Sequence, residues 1–140
     1  MATREELADT LAGFAMFADL GSPQLLGVAG LFEETVHPEG ERVLRQGLTG
    51  SGFYVILDGT AEVRIDGTVR GALHRGDFFG EVSILLSEPP TADIVATTTL
   101  RSLVMGPSAV QPFLLAHPSV MFRMLQAQAR RLRNANRWRS

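Results

Sequence analysis

The sequence predicts a mainly β fold with flanking helices. Three observations predict it: a helical period in the first thirty residues, short β-branched and aromatic runs cut by glycine-bearing turns from Thr35 to Met105, and a return of the helical period after Gly106. The order is two helices, an all-β sandwich or roll, and two helices. No repeat, low-complexity block or linker divides them, so the expectation is one domain over 1–140, with a helical lead-in at 1–32, a β-roll at 33–106 and C-terminal helices at 107–140.

Leu7, Leu11, Phe14 and Phe17 recur at spacings of four and three, with Glu5, Glu6 and Asp9 placed early, where the helix dipole favours negative charge. A first helix over Arg4–Phe17 follows. Gly21-Ser22-Pro23 supplies a stop, an N-cap serine and a proline at the first helical position, which opens a second helix reaching about Leu31.

Strands are expected at Glu33–His37, Arg42–Gln46, Phe53–Leu57, Ala61–Ile65, Val69–Leu73, Asp93–Thr97 and Arg101–Met105. In the fourth, Ala61, Val63 and Ile65 alternate with Glu62 and Arg64, so one face is buried and the other wet. Asp66-Gly67 favours a tight hairpin. Pro107 then starts a short helix through Phe113 and Leu114, His117-Pro118 breaks it, and a longer helix runs from Ser119 to about Trp138. Its stripe of Val120, Met121, Met124, Leu125, Gln128 and Leu132 either packs on the β body or forms a dimer seam.

Composition removes several function classes. No cysteine is present, so disulfides, thiolate chemistry and cysteine zinc sites are excluded, in keeping with a cytoplasmic protein. Lysine is also absent, which excludes a P-loop lysine and a Schiff base. Neither an export signal nor an apolar run long enough for a bilayer stands out. His37, His74 and His117 lie far apart with no H-x-H pair, which argues against a cupin-type metal enzyme; no metal is expected. No serine has a G-x-S-x-G context, and no catalytic constellation is visible, so the expectation is a protein that is not an enzyme.

Residues 1–110 hold seven arginines and all fifteen carboxylates, whereas residues 111–140 hold six arginines and no acid. These six can face solvent, an acidic partner, nucleic acid or the acidic body itself. No reading element for a DNA groove follows them, so sequence-specific DNA binding by this chain alone is not expected. Gly47-Leu48-Thr49-Gly50-Ser51-Gly52 reads as a hairpin connection because a phosphate loop of this kind needs lysine.

Three segments carry more. Val36-His37-Pro38-Glu39-Gly40-Glu41-Arg42-Val43-Leu44-Arg45-Gln46-Gly47 and Gly52-Phe53-Tyr54-Val55-Ile56-Leu57-Asp58-Gly59 precede Arg75-Gly76-Asp77-Phe78-Phe79-Gly80-Glu81-Val82-Ser83-Ile84-Leu85-Leu86, with Pro89-Pro90-Thr91-Ala92 after it. In this order and spacing they resemble the cyclic nucleotide-binding domain family, the last being similar to its phosphate-binding cassette. The resemblance implies a double-stranded β-helix, a jelly-roll-like β-roll with N-terminal helices and a long C-terminal helix. It further implies a regulatory domain binding cyclic AMP or cyclic GMP through Gly80, Glu81, Val82, Ser83, Thr91 and Ala92, signalling to an effector protein through its last helix, whose apolar stripe separately gives the expectation of a homodimer. Glu81 would accept from the ribose 2′-hydroxyl, and Asn136 falls where the catabolite-activator branch touches the base.

One departure stands out. The family places an arginine against the cyclic phosphate where this chain has Pro90, which has neither charge nor backbone donor. Arg75, Arg101 and Arg123 are candidates for a substitute. The alternative expectation is a module that kept the fold after losing nucleotide affinity and serves as an interaction domain.

Overall fold

A computed structural model describes residues 2–48 and 52–137. Thr49, Gly50 and Ser51 of the glycine-rich connection, and the helix end at Trp138 with Arg139, lie outside the described residues. The elements are α1 (Arg4–Ala12), a 3-10 turn (Ala15–Phe17), α2 (Ser22–Ala29), β1 (Glu33–His37), β2 (Arg42–Leu44), β3 (Phe53–Asp58), β4 (Ala61–Ile65), β5 (Thr68–Leu73), β6 (Phe78–Phe79), α3 (Glu81–Leu86), β7 (Asp93–Ala96), β8 (Leu100–Met105), α4 (Pro107–Ala116) and α5 (Pro118–Arg137).

The strands form two four-stranded antiparallel sheets, ordered β1-β8-β3-β6 and β2-β7-β4-β5. This is the mainly β jelly-roll with flanking helices that the sequence predicts. Two cores result, one on each side of the first sheet. Phe53, Val55 and Leu57 of β3 face the helices, where they meet Leu11, Phe17, Val28, Phe113, Val120 and Met124. Ile56 faces the other way into the inter-sheet core with Leu44, Ala61, Leu73, Ile94 and Leu100. Burial on both faces explains why β3 reads as a continuous apolar run, not an alternating one.

Several boundaries differ from expectation. The first helix ends at Ala12, with Gly13 as its C-cap, and Phe14 and Phe17 reach the core from the 3-10 turn. Ser22 is the first helical residue; Gly21 is the N-cap, and its N–H donates to Gln24 Oε1 at 3.0 Å. β2 and β7 stop short of Gln46 and Thr97 because their ends turn to make other bonds, such as Gln46 N–H to Asp93 Oδ1 at 2.7 Å. The Asp66-Gly67 hairpin has the positive φ at both central residues, 52° and 78°, that a type I′ turn demands. His117 breaks the helical run before Pro118 as expected, with φ −130° and ψ 71°.

The pair Phe78-Phe79 forms a strand that the sequence reading missed. Two residues offer no periodicity to detect, yet each fills a different core: Phe78 packs with the helices, and Phe79 lies between the sheets, its ring stacked on Tyr54 at 4.7 Å. That short strand delivers the chain to the cassette.

Truncating the fully buried Leu103 to alanine should cost about 2–5 kcal/mol in urea unfolding, whereas Leu86→Ala should stay within about 0.5 kcal/mol. The contrast follows from Leu103 being 0% and Leu86 58% exposed. Equal losses would show that the helix-facing core does not carry the stability.

Candidate functional site

Beneath the cassette lies a cavity of about 170 Å³ between the second sheet, α3, the loop before β7 and one side chain of α5. Leu44, Val63, Leu73, Phe79 and Ile94 supply its apolar walls. Gly80, Glu81, Val82, Ser83, Thr91 and Ala92 all line it, together with Pro90 and Arg131. The structure thus brings six of the sequence-derived candidates together. Asn136 is not among the lining residues; it sits exposed near the end of α5.

Local geometry begins at Gly80. Its φ of 91° lies in the left-handed region, and an added Cβ would collide with the Gly52 carbonyl oxygen. Only glycine fits both demands, and the sharp turn it permits sends Glu81 inward at the start of α3. The Ser83 hydroxyl donates back to the Gly80 carbonyl at 3.5 Å. On the opposite wall, the Pro90 carbonyl accepts from Gly47 N–H at 2.9 Å, which pins the loop without using the Pro90 ring.

Glu81 is 2% exposed, a carboxylate inside a mostly apolar shell. Gln128 Nε2 donates to its Oε2 at 3.2 Å, and the Arg131 guanidinium stands 3.5 Å from the same oxygen. Burial pushes its pKa above the usual carboxylate range; the Arg131 charge, its own backbone N–H and the Gln128 bond pull the other way without cancelling that rise. Arg131 is further fixed by donating to the Phe78 carbonyl at 2.7 Å and by lying 4.3 Å over the Phe78 ring.

Arg131 is the site residue that sequence reading missed. Arg75, Arg101 and Arg123 are absent from the cavity: the first donates to the Leu57 carbonyl at 2.7 Å, and the others form ion pairs with Glu34 and Asp19. A signal existed in α5. Val120 and Met124 are buried, and Ala127, Gln128 and Arg131 continue that face at helical spacing. The stripe therefore splits, because Met121, Leu125 and Leu132 are exposed on another side.

Among the described residues no group of three histidine, cysteine or acidic side chains could hold a metal, and no helix is long and apolar enough to cross a membrane.

The Cyclic nucleotide-binding domain profile matches residues 34–117, more than half of the chain. The chain belongs to the cyclic nucleotide-binding domain family. It is 33% identical over 107 residues to a cAMP-dependent protein kinase regulatory subunit of Eremothecium gossypii, covering 76% of this chain and 23% of that protein. It therefore spans about a quarter of the length of the regulatory subunits it matches. The catabolite activator protein of Thermus thermophilus shares the fold, with TM-score 0.77 and 24% identity over 87% of this chain and 60% of that one. The regulatory subunit of a cAMP-independent protein kinase A from Trypanosoma cruzi, bound to guanosine, is 26% identical with TM-score 0.72, covering 84% of this chain and 42% of that one.

The raised Glu81 pKa has a definite sign. The folded state holds its proton to higher pH than the unfolded state, so this group's contribution is full at acid pH and is lost as pH rises from the ordinary carboxylate value through the raised one. Glu81→Gln should therefore gain thermal stability relative to the parent as pH climbs from about 4 to 8. Melting curves across that range check it; a relative loss would mean the Arg131 attraction outweighs burial.

Proposed function

We propose that this chain is a regulatory ligand-sensing domain: its β-roll cavity takes a cyclic nucleotide, cyclic AMP or cyclic GMP, or a close chemical relative, and occupancy is reported by α5 to an effector protein. One observation carries the reading. The buried Glu81 carboxylate at the cavity is hydrogen-bonded by Gln128 and paired with Arg131, both on α5. A ligand hydroxyl donating to Glu81 competes with those two side chains, so the ligand has different affinity for two placements of α5. That difference is the thermodynamic requirement for a signal.

Family membership and the kinase regulatory relatives support a binding and regulatory role in preference to a catalytic one. A second reading, a module without nucleotide affinity that acts by protein contact, has Pro90 in its favour, since this residue brings neither charge nor donor to the cavity wall.

The exposed Met121, Leu125 and Leu132 on α5 support a homodimer through this helix. Light scattering at high concentration should show a dimer that Leu125→Glu dissociates; a monomeric parent protein removes the proposal.

For ligand sensing, Glu81→Ala should weaken the binding of whichever purine nucleotide or nucleoside the protein takes by about ten- to a hundredfold in calorimetric titration. Amide exchange in the C-terminal half of α5 should change on binding. Unaltered affinity in Glu81→Ala and Thr91→Ala places the ligand elsewhere, and unaltered exchange in α5 removes this helix as the output.

A further inference from the structure

The charge inventory of the β-roll cavity is short. Its lining holds one carboxylate, Glu81, and one guanidinium, Arg131, and these stand 3.5 Å apart. The pair leaves no surplus positive charge. Arg131 is also committed to the Phe78 carbonyl and to the face of the Phe78 ring, so turning it toward an anion would strip Glu81 of its cation while that carboxylate stays buried.

The wall at Pro90, Thr91 and Ala92 offers one hydroxyl and no cation, and Leu44, Val63, Leu73, Phe79 and Ile94 around it are apolar. A phosphate diester brought there would lose water and gain no charged partner, which is the costly case for any ion. Groups without formal charge carry no such penalty. A ribose hydroxyl can still donate to Glu81, and a purine ring fits apolar walls.

We propose that this cavity selects an uncharged purine nucleoside over the corresponding cyclic nucleotide. The proposal rests on reading the cavity as a nucleotide-class site, and narrows it: recognition is by ribose and base, and the position that Pro90 occupies removes the reward for phosphate.

Calorimetric titration of the full chain with adenosine, guanosine, cyclic AMP and cyclic GMP tests it, beside Pro90→Arg and Pro90→Ala. The expected result is a nucleoside binding at least about tenfold more tightly than its cyclic monophosphate, an order that Pro90→Arg inverts and Pro90→Ala keeps. Should Pro90→Arg fail to fold, the order measured on the parent protein decides. Cyclic nucleotides binding as tightly as nucleosides, or more so, overturn the inference and leave the sensor reading standing. If that preference is then lost in Arg131→Ala, Arg131 is the phosphate partner. Binding of none of the four overturns the sensor reading as well.

Discussion

The buried Glu81 carboxylate is the constraint on which the arrangement of this molecule turns. A carboxylate removed from water needs partners of its own, and α3 supplies few because Glu81 stands at its first position. Gln128 and Arg131 come from a helix that follows in sequence only after the whole β-roll is complete. The sharp turn at Gly80, the length of α5 and its docking across the cassette are thus parts of one solution. Without α5 in place, the cassette would hold an unpaired acid, and burial pushes its pKa up against the pull of Arg131 and Gln128.

The anchoring of α5 is uneven along its length. Near its start, Val120 and Met124 are inserted in the helix-facing core, and Arg123 makes a two-pronged ion pair with Asp19 at 2.8 and 3.0 Å. That pairing holds the Asp19 carboxyl below its usual range. Farther along, the contacts are polar: Gln128 to Glu81, and Arg131 to Glu81 and the Phe78 carbonyl. Polar contacts can be exchanged without opening the apolar core, which is the property that the proposed signalling role requires of the second half of α5.

Much of the fold was legible because β-branched runs and glycine turns announce strands locally. β1 and β4 match their expected limits, and most others shift by one or two residues, as strand ends do when their last groups find other partners. β6 was not legible, since two phenylalanines in a row look like generic core until β3 pairs with them. The cassette residues were read from the order and spacing of three segments, which is a linear property. Arg131 was hidden for the opposite reason: its role depends on the Phe78 carbonyl and the Glu81 carboxylate, far away in sequence, and only its helical register with Val120 and Met124 sets it apart from Arg130 or Arg133. The charge division between body and tail had been visible, but only the structure shows the two halves meeting through Arg123 and Arg131.

Fold and ligand chemistry are separable at position 90. The loop there is held by the Pro90 carbonyl, which accepts from Gly47 N–H, and by Asp93, whose carboxylate accepts from Gln46 N–H. Neither bond needs a particular side chain at 90, and the missing proline N–H leaves no orphaned donor. The side chain lines the cavity and is buried there. The bonds that hold the loop and the clamp on Glu81 therefore do not run through the side chain of that residue. A change from a charged to an uncharged wall at this position alters the chemistry of the cavity while the Glu81 contacts to Gln128 and Arg131 of α5 are left intact.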